Sequence, residues 1–297
     1  MPLDILVPYW GDPALMRETV ESVLAQDNGD WRLTVVDDAY PDPSVTDWLG
    51  TIDDERVRSV RNETNLGITA NYRQCLSLAT QDLVVFLGCD DLLLPGYVDV
   101  ILDAHRAWPG AAMIQPGVRV IDETGATRPA LVDTVKQRLL QPRTRQQPVL
   151  LAGEALATSL LLGNWLYWPS LAFRREALRD VSFREGLPII QDFALELDLV
   201  CRDASLVFDP AVCFVYRRHS SSASATTLMD GTRFADERTY YGLAADQMRA
   251  RGWRRAERAA RLRLTSRAHA VTLVPRALAD RRWSAARDLG HHAVTWG

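Results

Sequence analysis

Residues 82–98 read DLVVFLGCDDLLLPGYV, and this stretch carries the clearest indication of the fold. The apolar run from Leu83 to Leu87 has the length and composition of a buried β-strand. Two acids, Asp90 and Asp91, follow it, and a helical pattern begins after Pro95 and Gly96. A strand, an acidic turn and a helix in this order are typical of the β-α units that build a parallel sheet.

The same alternation of strand and helix patterns extends over residues 1–115. Besides Leu83–Leu87, the predicted strands are Ile5–Val7, Leu33–Val36, Val57–Val60 and Met113–Val120. Helices are predicted over Met16 to Leu24, from about Thr69 to Ala79, and from about Tyr97 to Trp108. We therefore predict an α/β, Rossmann-like fold with a mainly parallel central sheet.

The composition excludes several classes of protein. A chain of 297 residues with 47% hydrophobic and 24% charged residues has the make-up of a folded globular protein. A net charge of −4 gives no reason to expect nucleic-acid binding. The four cysteines, Cys75, Cys89, Cys201 and Cys213, form no C-x-x-C pair. With no secretory leader and no apolar run of about 18 residues, we expect a cytoplasmic protein.

Ligands bind at the carboxyl ends of the strands in sheets of this kind, so the residues that follow each strand are the candidates for chemistry. These residues are unusually polar or aromatic. They are Pro8, Tyr9 and Trp10 after the first strand, Asp37 and Asp38 after the second, Asn62 and Asn65 after the third, and Gly88, Cys89, Asp90 and Asp91 after the fourth. An aromatic pair and several carboxylates are therefore expected at one edge of the sheet.

Adjacent carboxylates repel each other, and a divalent cation is the usual means of neutralising them at such an edge. Oxygen ligands suit Mg²⁺ or Mn²⁺, which could in turn hold a diphosphate. The alternative for Asp90 and Asp91 is a cap or a solvated turn, because aspartate is favoured in both places. The same alternative applies to Asp37 and Asp38.

Four segments together resemble the amino-terminal half of the inverting family 2 glycosyltransferases, which have the GT-A fold. The segments are ILVPYW (5–10), VVDDAYPDP (35–43), NETNLGITANYRQCLSLA (62–79) and DLVVFLGCDDLLLPGYV (82–98). The resemblance implies a nucleotide-diphospho-sugar donor of the UDP, dTDP or GDP type. The implied nucleotide contacts are Pro8, Tyr9, Trp10, Asp37, Asp38, Asn65, Gly67 and Arg73.

The resemblance also implies a metal site in the acidic turn, with one departure from the family pattern. Asp90 and Asp91 match the acids of the family's D-x-D type motif, but the usual first acid is Gly88 in this chain. The segment VYRRHSSSAS (215–224) resembles the family segment whose histidine completes the metal shell, which makes His219 the third expected ligand.

The segment LPIIQDFALELDLVCR (187–202) resembles the family's acidic helix start, with Gln191 in place of the usual first acid and Asp192 in place of the second. Asp192 is accordingly the expected general base, since inversion at the anomeric carbon requires a carboxylate that takes the acceptor proton. A helix cap is the alternative for Asp192. Weaker expectations for contacts with the donor sugar or acceptor are Asn164, Trp165, Trp168, Gln191 and Arg217, with ordinary core tryptophans as the alternative for the two rings.

The resemblance covers about residues 3–222 and suggests the domain organisation. We expect a GT-A domain over 1–222, with a nucleotide-binding half at 1–115 and an acceptor or catalytic half at 116–222. Within the second half, Asp122 to Pro148 is interpreted as a long excursion beside the site. Residues 223–297 are predicted to be a carboxyl-terminal helical region.

The helical region carries a basic stretch that includes Arg249, Arg251, Arg254, Arg255, Arg258, Arg261 and Arg263. Peripheral contact with the inner face of an anionic membrane is one interpretation, and a solvated helix face is another. Self-association to a homodimer is equally open. The acceptor, whether a saccharide, a lipid-linked molecule or a small molecule, is not indicated by any motif.

Other functions remain to be weighed. A nucleotidyltransferase shares this architecture but normally has a glycine-rich basic loop after the first strand, which Pro8 to Asp12 does not offer. The chain has no G-x-G-x-x-G or G-K-[ST] motif, which disfavours a dehydrogenase and a P-loop enzyme. A catalytically silent protein that binds nucleotide sugars as a scaffold stays open, because Gly88 and Gln191 replace expected acids.

Overall fold

The computed structural model describes residues 2–127, 131–179, 181, 183, 190–219 and 232–295. Among these residues, one mixed sheet of nine strands forms the centre of the molecule. The strands are β1 (Leu3–Tyr9), β2 (Trp31–Asp37), β3 (Val57–Arg61), β4 (Leu83–Phe86), β5 (Leu92–Leu93), β6 (Met113–Ile121), β7 (Val149–Leu151), β8 (Ala172–Arg174) and β9 (Leu206–Arg217).

The amino-terminal half of the sheet is parallel, with β3, β2, β1 and β4 side by side in that order. The inner strands are apolar on both faces. In β1, Leu3, Ile5, Leu6 and Val7 are all buried, as expected for a parallel strand covered by helices on both sides. The predicted α/β fold with a central sheet is confirmed.

The second half of the sheet introduces antiparallel strands, a direction that the sequence pattern did not indicate. The short strand β8 lies between β4 and β6 and is antiparallel to both. Strand β9 runs parallel to β6, with a break in register at Gly117. A Cβ atom at Gly117 would lie 2.6 Å from the carbonyl oxygen of Pro210, so only glycine allows this approach of the two strands.

The helices lie on both faces of the sheet and in the carboxyl-terminal region. They are α1 (Pro13–Leu24), α2 (Ser44–Leu49), α3 (Ile68–Leu78), α4 (Tyr97–Ala107), α5 (Leu131–Val135), α6 (Gly153–Leu162), α7 (Gln191–Cys201), α8 (Thr232–Ala250), α9 (Arg254–Leu262), α10 (Leu264–Ala279) and α11 (Trp283–Val294). The start of α1 shows the local reason for a boundary, because the Asp12 carboxylate accepts a hydrogen bond of 2.8 Å from the backbone N–H of Ala14.

The segment interpreted as a long excursion contains more structure than expected. Residues 131–135 form α5, and a π-helical turn, Lys136–Leu140, continues it. Asp133 on this short helix is completely buried. The burial of Asp133 places this segment against the main domain. The polar sequence of the segment does not indicate such a long-range contact.

The carboxyl-terminal region is helical, as predicted, and part of it shares the main core. Tyr240 of α8 packs edge-on against Phe193 of α7, with ring centroids 5.8 Å apart. The domain boundary expected near residue 222, with the serines from Ser220 onward, lies outside the described residues. In the described part of the chain, no helix combines the length and apolar character needed to cross a bilayer.

The basic stretch expected at a solvated face or a membrane is partly engaged in ion pairs. Arg249 and Arg261 both contact Glu257, at 2.9 and 3.1 Å.

Candidate active site

The carboxyl ends of β1, β2 and β4 lie next to one another, as the predicted parallel order requires. Tyr9 is in register with Asp37, and the backbone N–H of Leu87 donates to the carbonyl oxygen of Leu6 at 2.9 Å. The residues that follow these strands, including Trp10 and Gly88, therefore begin at one edge of the sheet.

Three aromatic rings form one wall of this edge. The ring centroid of Tyr40 lies 5.3 Å from that of Tyr9 and 5.3 Å from that of Trp10. Tyr9 is fully buried, and burial raises the pKa of its phenol. Trp10 is 48% exposed, so it is the ring of this group that a planar ligand could reach. Pro8, directly before Tyr9, is part of β1, and Tyr40 is a member of the wall that the motif comparison did not single out.

Asp37 holds the turn that carries Tyr40. Its Oδ1 accepts a hydrogen bond of 2.8 Å from the backbone N–H of Tyr40, and its Oδ2 accepts one of 2.7 Å from Thr46. Arg61 forms an ion pair with the same carboxylate. The structure thus places Asp37 beneath the site, where it organises the aromatic wall.

Asp38 organises the loop that follows β3. Its carboxylate accepts hydrogen bonds from the Asn62 side chain at 2.8 Å and from the backbone N–H groups of Leu66 and Gly67 at 2.8 and 2.9 Å. The Asn65 side chain accepts a further bond of 2.8 Å from the N–H of Gly67. Gly67 has a φ of 81°, a left-handed conformation that favours glycine. The expected nucleotide contacts at Asp38, Asn65 and Gly67 therefore form one ordered loop at the edge.

Asp91 is turned into the protein. It is 1% exposed, and its Oδ1 accepts a hydrogen bond of 2.8 Å from the backbone N–H of Arg217 in β9. Burial, followed by the neighbouring charge of Asp90, raises the pKa of Asp91 well above its ordinary value. This carboxylate joins the acidic turn to β9, a role that differs from the ligand role implied by the resemblance.

Asp90 points toward His219. Its Oδ2 lies 2.8 Å from Nε2 of His219, an ion-pair distance, although no hydrogen bond of good geometry satisfies that nitrogen among the described residues. Burial raises the pKa of Asp90, and the nearby imidazole opposes this shift. Residues 129 positions apart in the chain are thus brought together.

Arg217 supports this pair. Its Nε donates to the carbonyl oxygen of Asp90 at 2.9 Å, and its Nη2 lies 2.5 Å from Oε2 of Glu18. The side chain is almost completely buried. Arg217 is therefore engaged in holding the acidic turn, whereas the resemblance implied a contact with the donor sugar or acceptor.

The expected general base begins a helix that faces the same edge. Asp192 is in the first turn of α7, where its Oδ1 accepts a hydrogen bond of 2.7 Å from the N–H of Phe193. Its neighbour Gln191 accepts a hydrogen bond of 2.7 Å from Thr69 at the start of α3. Since α3 follows the loop held by Asp38, the beginning of α7 is tied to the carboxyl edge of the sheet.

Tyr72 of α3 packs beneath the end of β4. Its ring centroid lies 5.5 Å from that of Phe86 and 5.9 Å from that of Trp168. Burial is the main cause of the raised pKa of its phenol.

Glu196 is a site residue that the motif comparison missed. It lies one turn after Asp192 and is completely buried. Its Oε2 accepts a hydrogen bond of 2.9 Å from Asn164, while Oε1 has no partner among the described residues. Burial, and then the charge of Asp192, raise its pKa well above the ordinary value. The signal in the sequence that could have identified Glu196 is its position four residues after Asp192, one helical turn away, among mainly apolar residues.

Lys136 and Asp133 bring opposite charges to the same region. Arg218 binds the buried Asp133 carboxylate through two nitrogens, at 2.5 and 2.8 Å. Part of the Lys136 side chain reaches the surface, and burial of the rest lowers its pKa to about 8. The charge of Arg218 lowers it further, whereas Asp133, and then Asp192 and Glu196, oppose the shift. Residues 131–140 therefore contribute charged groups beside Arg218, the residue next to His219.

The two tryptophans proposed as sugar contacts are placed in the core. Trp165 is fully buried and donates from Nε1 to Ser159 at 3.0 Å. Trp168 stacks on Phe86, with centroids 5.7 Å apart and planes 12° apart. Neither ring presents a free face in this structure, so their positions agree with the alternative of core tryptophans.

Arg73 is not brought to the acidic turn. It lies midway along α3 and donates to the carbonyl oxygen of Phe183 at 2.9 Å. It also lines a cleft with Asp82, the residue before β4, and with Arg174. These residues mark the amino end of β4, the opposite edge of the sheet.

Solved structures with the same fold include the S. aureus protein TarS. TarS residues 1–349 superpose with a TM-score of 0.67 at 13% identity, covering 99% of this chain and 81% of that one. The TarS complex with UDP-GlcNAc gives a TM-score of 0.64 at 15% identity, covering 84% of this chain and 66% of that one. These likenesses concern the fold, and they agree with the GT-A architecture expected from the sequence.

Sequence relatives point to one family. An uncharacterized protein of Mycobacterium tuberculosis is 26% identical over 238 residues, which is 76% of this chain and 70% of that protein. The putative glycosyltransferase EpsE of Bacillus subtilis is 28% identical over 140 residues, 46% of this chain and 49% of EpsE, so the chain matches about half the length of that relative. The family model for glycosyl transferase family 2 matches residues 4–160, more than half of the chain. The chain therefore belongs to glycosyltransferase family 2, a family of glycosyl-transfer enzymes.

Proposed function

We propose that this protein is an inverting glycosyltransferase that moves a sugar from a nucleoside diphosphate to an acceptor hydroxyl. The acceptor is a saccharide, a lipid-linked molecule or a small molecule. The observation that carries the proposal is the Asp90–His219 pair, 2.8 Å apart, after the end of β4. The hydrogen bond between Thr69 and Gln191 supports a common site, because it ties the start of α7, which carries Asp192, to the loop beside the strand ends.

A nucleotide sugar is the donor that this edge suits. TarS has been solved with UDP-GlcNAc and with UDP. In this chain, Trp10 offers an exposed ring for a base of the uracil, thymine or guanine type. Asp38 lies close by, because its backbone N–H donates to the carbonyl oxygen of Tyr9 at 3.0 Å. The diphosphate would then extend toward Asp90.

The residues present fit a divalent cation bound by two protein ligands. Asp90 Oδ2 and His219 Nε2 converge at 2.8 Å, and that nitrogen lacks a well-formed hydrogen bond within the described part of the chain. Asp91 is committed to the backbone of Arg217. Mg²⁺ and Mn²⁺ commonly keep several waters and bind through few protein ligands plus substrate phosphates. A bound cation would stabilise the negative charge that develops on the departing diphosphate.

Asp192 is the proposed base in a direct displacement. The acceptor hydroxyl loses its proton to the Asp192 carboxylate while its oxygen forms a bond to the anomeric carbon. The bond between that carbon and the diphosphate oxygen breaks, and the nucleoside diphosphate leaves with the electron pair. Attack from the face opposite the leaving group inverts the anomeric configuration. Gln191, fixed by Thr69, would hold the first turn of α7 in place during this step.

A thermal-shift panel of UDP, dTDP, GDP and CDP sugars, each with and without Mn²⁺, tests the donor proposal. A ligand that binds only the folded state raises Tm, so one donor class should do so more strongly with Mn²⁺. Release of nucleoside diphosphate without acceptor then separates an enzyme from a silent sugar-binding scaffold, which would bind without turnover. The proposal fails if no nucleotide sugar changes Tm under either condition.

A further inference from the structure

A second polar cleft lies at the edge of the sheet opposite the proposed active site. It has a volume of about 720 Å³ and surrounds the amino end of β4 and the carboxyl end of β8. The charged and titratable side chains that line the cleft include Arg73, Asp82, His105, Arg174, Arg175 and Arg179. Asp82 and Gly88 are separated by the length of β4, roughly 20 Å at about 3.3 Å per residue, so one diphosphate cannot occupy both places.

The cleft is strongly basic. Four arginines line it, against the two carboxylates of Asp82 and Glu176. Within the described part of the chain, Arg174, Arg175 and Arg179 have no carboxylate within ion-pair distance. Like charges gathered in one concave surface without partners favour a bound anion.

Two buried nitrogens in the cleft also lack partners. Nε of Arg174 and Nδ1 of His105 are shielded from solvent, and neither has a hydrogen bond to any described residue. Burial lowers the pKa of His105, the charge of Arg174 lowers it further, and the charge of Asp82 opposes the shift. Buried polar atoms are normally hydrogen-bonded. Nε of Arg174 can only donate, so it points to an absent acceptor, and Nδ1 of His105 could donate to the same acceptor when the ring carries a proton there.

We propose that this cleft binds a phosphate-type oxyanion. Guanidinium groups match the oxygen geometry of phosphate through paired N–H donors, and several arginines can share the oxygens of one or two phosphate groups. The oxyanion would satisfy Arg174 and His105 and neutralise the excess positive charge. This anion site is separate from the proposed donor site. Arg73 lies in the wall of the anion cleft and not at the donor site.

Titration calorimetry with inorganic pyrophosphate, in the absence of divalent metal, tests the proposal on the full-length chain. Metal-free conditions suppress diphosphate binding at Asp90. We expect saturable binding that weakens by about tenfold or more in the Arg175→Gln/Arg179→Gln double variant. Both side chains reach the surface, so these substitutions leave the core intact. Arg106→Gln is the matched control because Arg106 is exposed and paired with Asp103 at 2.7 Å. Both Arg106→Gln and Asp90→Asn should bind pyrophosphate as the parent protein does.

The imidazole of His105 provides a second measurement. Its pKa, followed by nuclear magnetic resonance and assigned with His105→Gln, should rise when phosphate or pyrophosphate is added, because a bound anion stabilises the protonated ring. Absence of binding up to millimolar pyrophosphate would overturn the proposal. So would unchanged affinity in the double variant, or an affinity lost in Asp90→Asn.

Discussion

The Cβ position of Gly88 lies 2.5 Å from Oδ2 of Asp91. Since the Asp91 carboxylate is buried and bound to the backbone of Arg217, it has no low-energy way to move aside. The turn after β4 therefore has room for the side chains of Asp90 and Asp91 but not for a third one at position 88. The glycine that replaces the usual family acid follows from this packing.

A side chain at position 88 should destabilise the protein. We expect Gly88→Ala to lower the free energy of unfolding by about 1–3 kcal/mol, because the new methyl group displaces a buried carboxylate. Urea unfolding of the two proteins measures this difference. Gly96→Ala is the control, since a Cβ there meets nothing within 4 Å; equal stability of the two variants would contradict the packing argument.

Removing either member of the Asp90–His219 pair should weaken metal-dependent donor binding. For Asp90→Asn and for His219→Gln, we expect the affinity for a nucleoside diphosphate with Mn²⁺ to fall by about tenfold or more, because each loses one proposed ligand. Binding without metal should change less. Calorimetry with and without Mn²⁺ measures both quantities. His291→Gln, an exposed histidine in α11, serves as the control, and parental Mn²⁺ dependence in both pair variants would refute the proposed site.

Asp192→Asn should slow turnover strongly while leaving donor binding intact. Loss of the base is expected to lower kcat by about 10²–10⁴-fold, because the amide cannot accept the acceptor proton. Initial rates of sugar transfer and the Kd of the donor distinguish chemistry from binding. Asp198→Asn is matched to it on the same helix, where Asp198 accepts a hydrogen bond of 3.1 Å from Gln247. Transfer by Asp192→Asn at the parental rate would exclude this residue as the base.

The buried Glu196 should make stability depend on pH. Its pKa in the folded protein is raised above the ordinary value of 4.5 by burial and by Asp192, so the folded state holds a proton that the unfolded state releases. The stabilising contribution is complete below about pH 4.5 and decreases as the pH rises toward the folded-state pKa. Glu196→Gln lacks this titration.

The Tm of Glu196→Gln relative to the parent should therefore increase as the pH is raised from about 4.5. Thermal unfolding of both proteins across this range measures the difference. Glu176→Gln, on an exposed residue, should show no such trend. A Tm difference that stays constant with pH would show that Glu196 does not carry the extra proton.

Much of the amino-terminal half could be predicted from local pattern. The strand predicted at Leu83–Leu87 is observed at Leu83–Phe86, and the helix predicted at about Tyr97–Trp108 is observed at Tyr97–Ala107. These elements are specified by continuous apolar runs and by Pro95 and Gly96. The strand β5 was not predicted because its two residues form a strand only by pairing with β9. Local propensity contains no information about such a partner.

The site was predictable only in part, for the same reason. Strand ends in a parallel sheet identify the acidic turn and the aromatic wall, and the family resemblance supplied His219 and Asp192. The internal engagement of Asp91 was not visible, since it depends on the backbone of β9. The role of Asp133 likewise depends on Arg218, which is 85 residues away.

By itself, the sequence determined the α/β class, the edge at which the polar residues gather and the family to which the chain belongs, because periodicity and motif spacing are local properties of the chain. Only the tertiary structure decided which carboxylates face the site and which are used inside the protein. A carboxylate's role depends on its burial and on the donors around it, and those donors come from strands and helices far away in sequence.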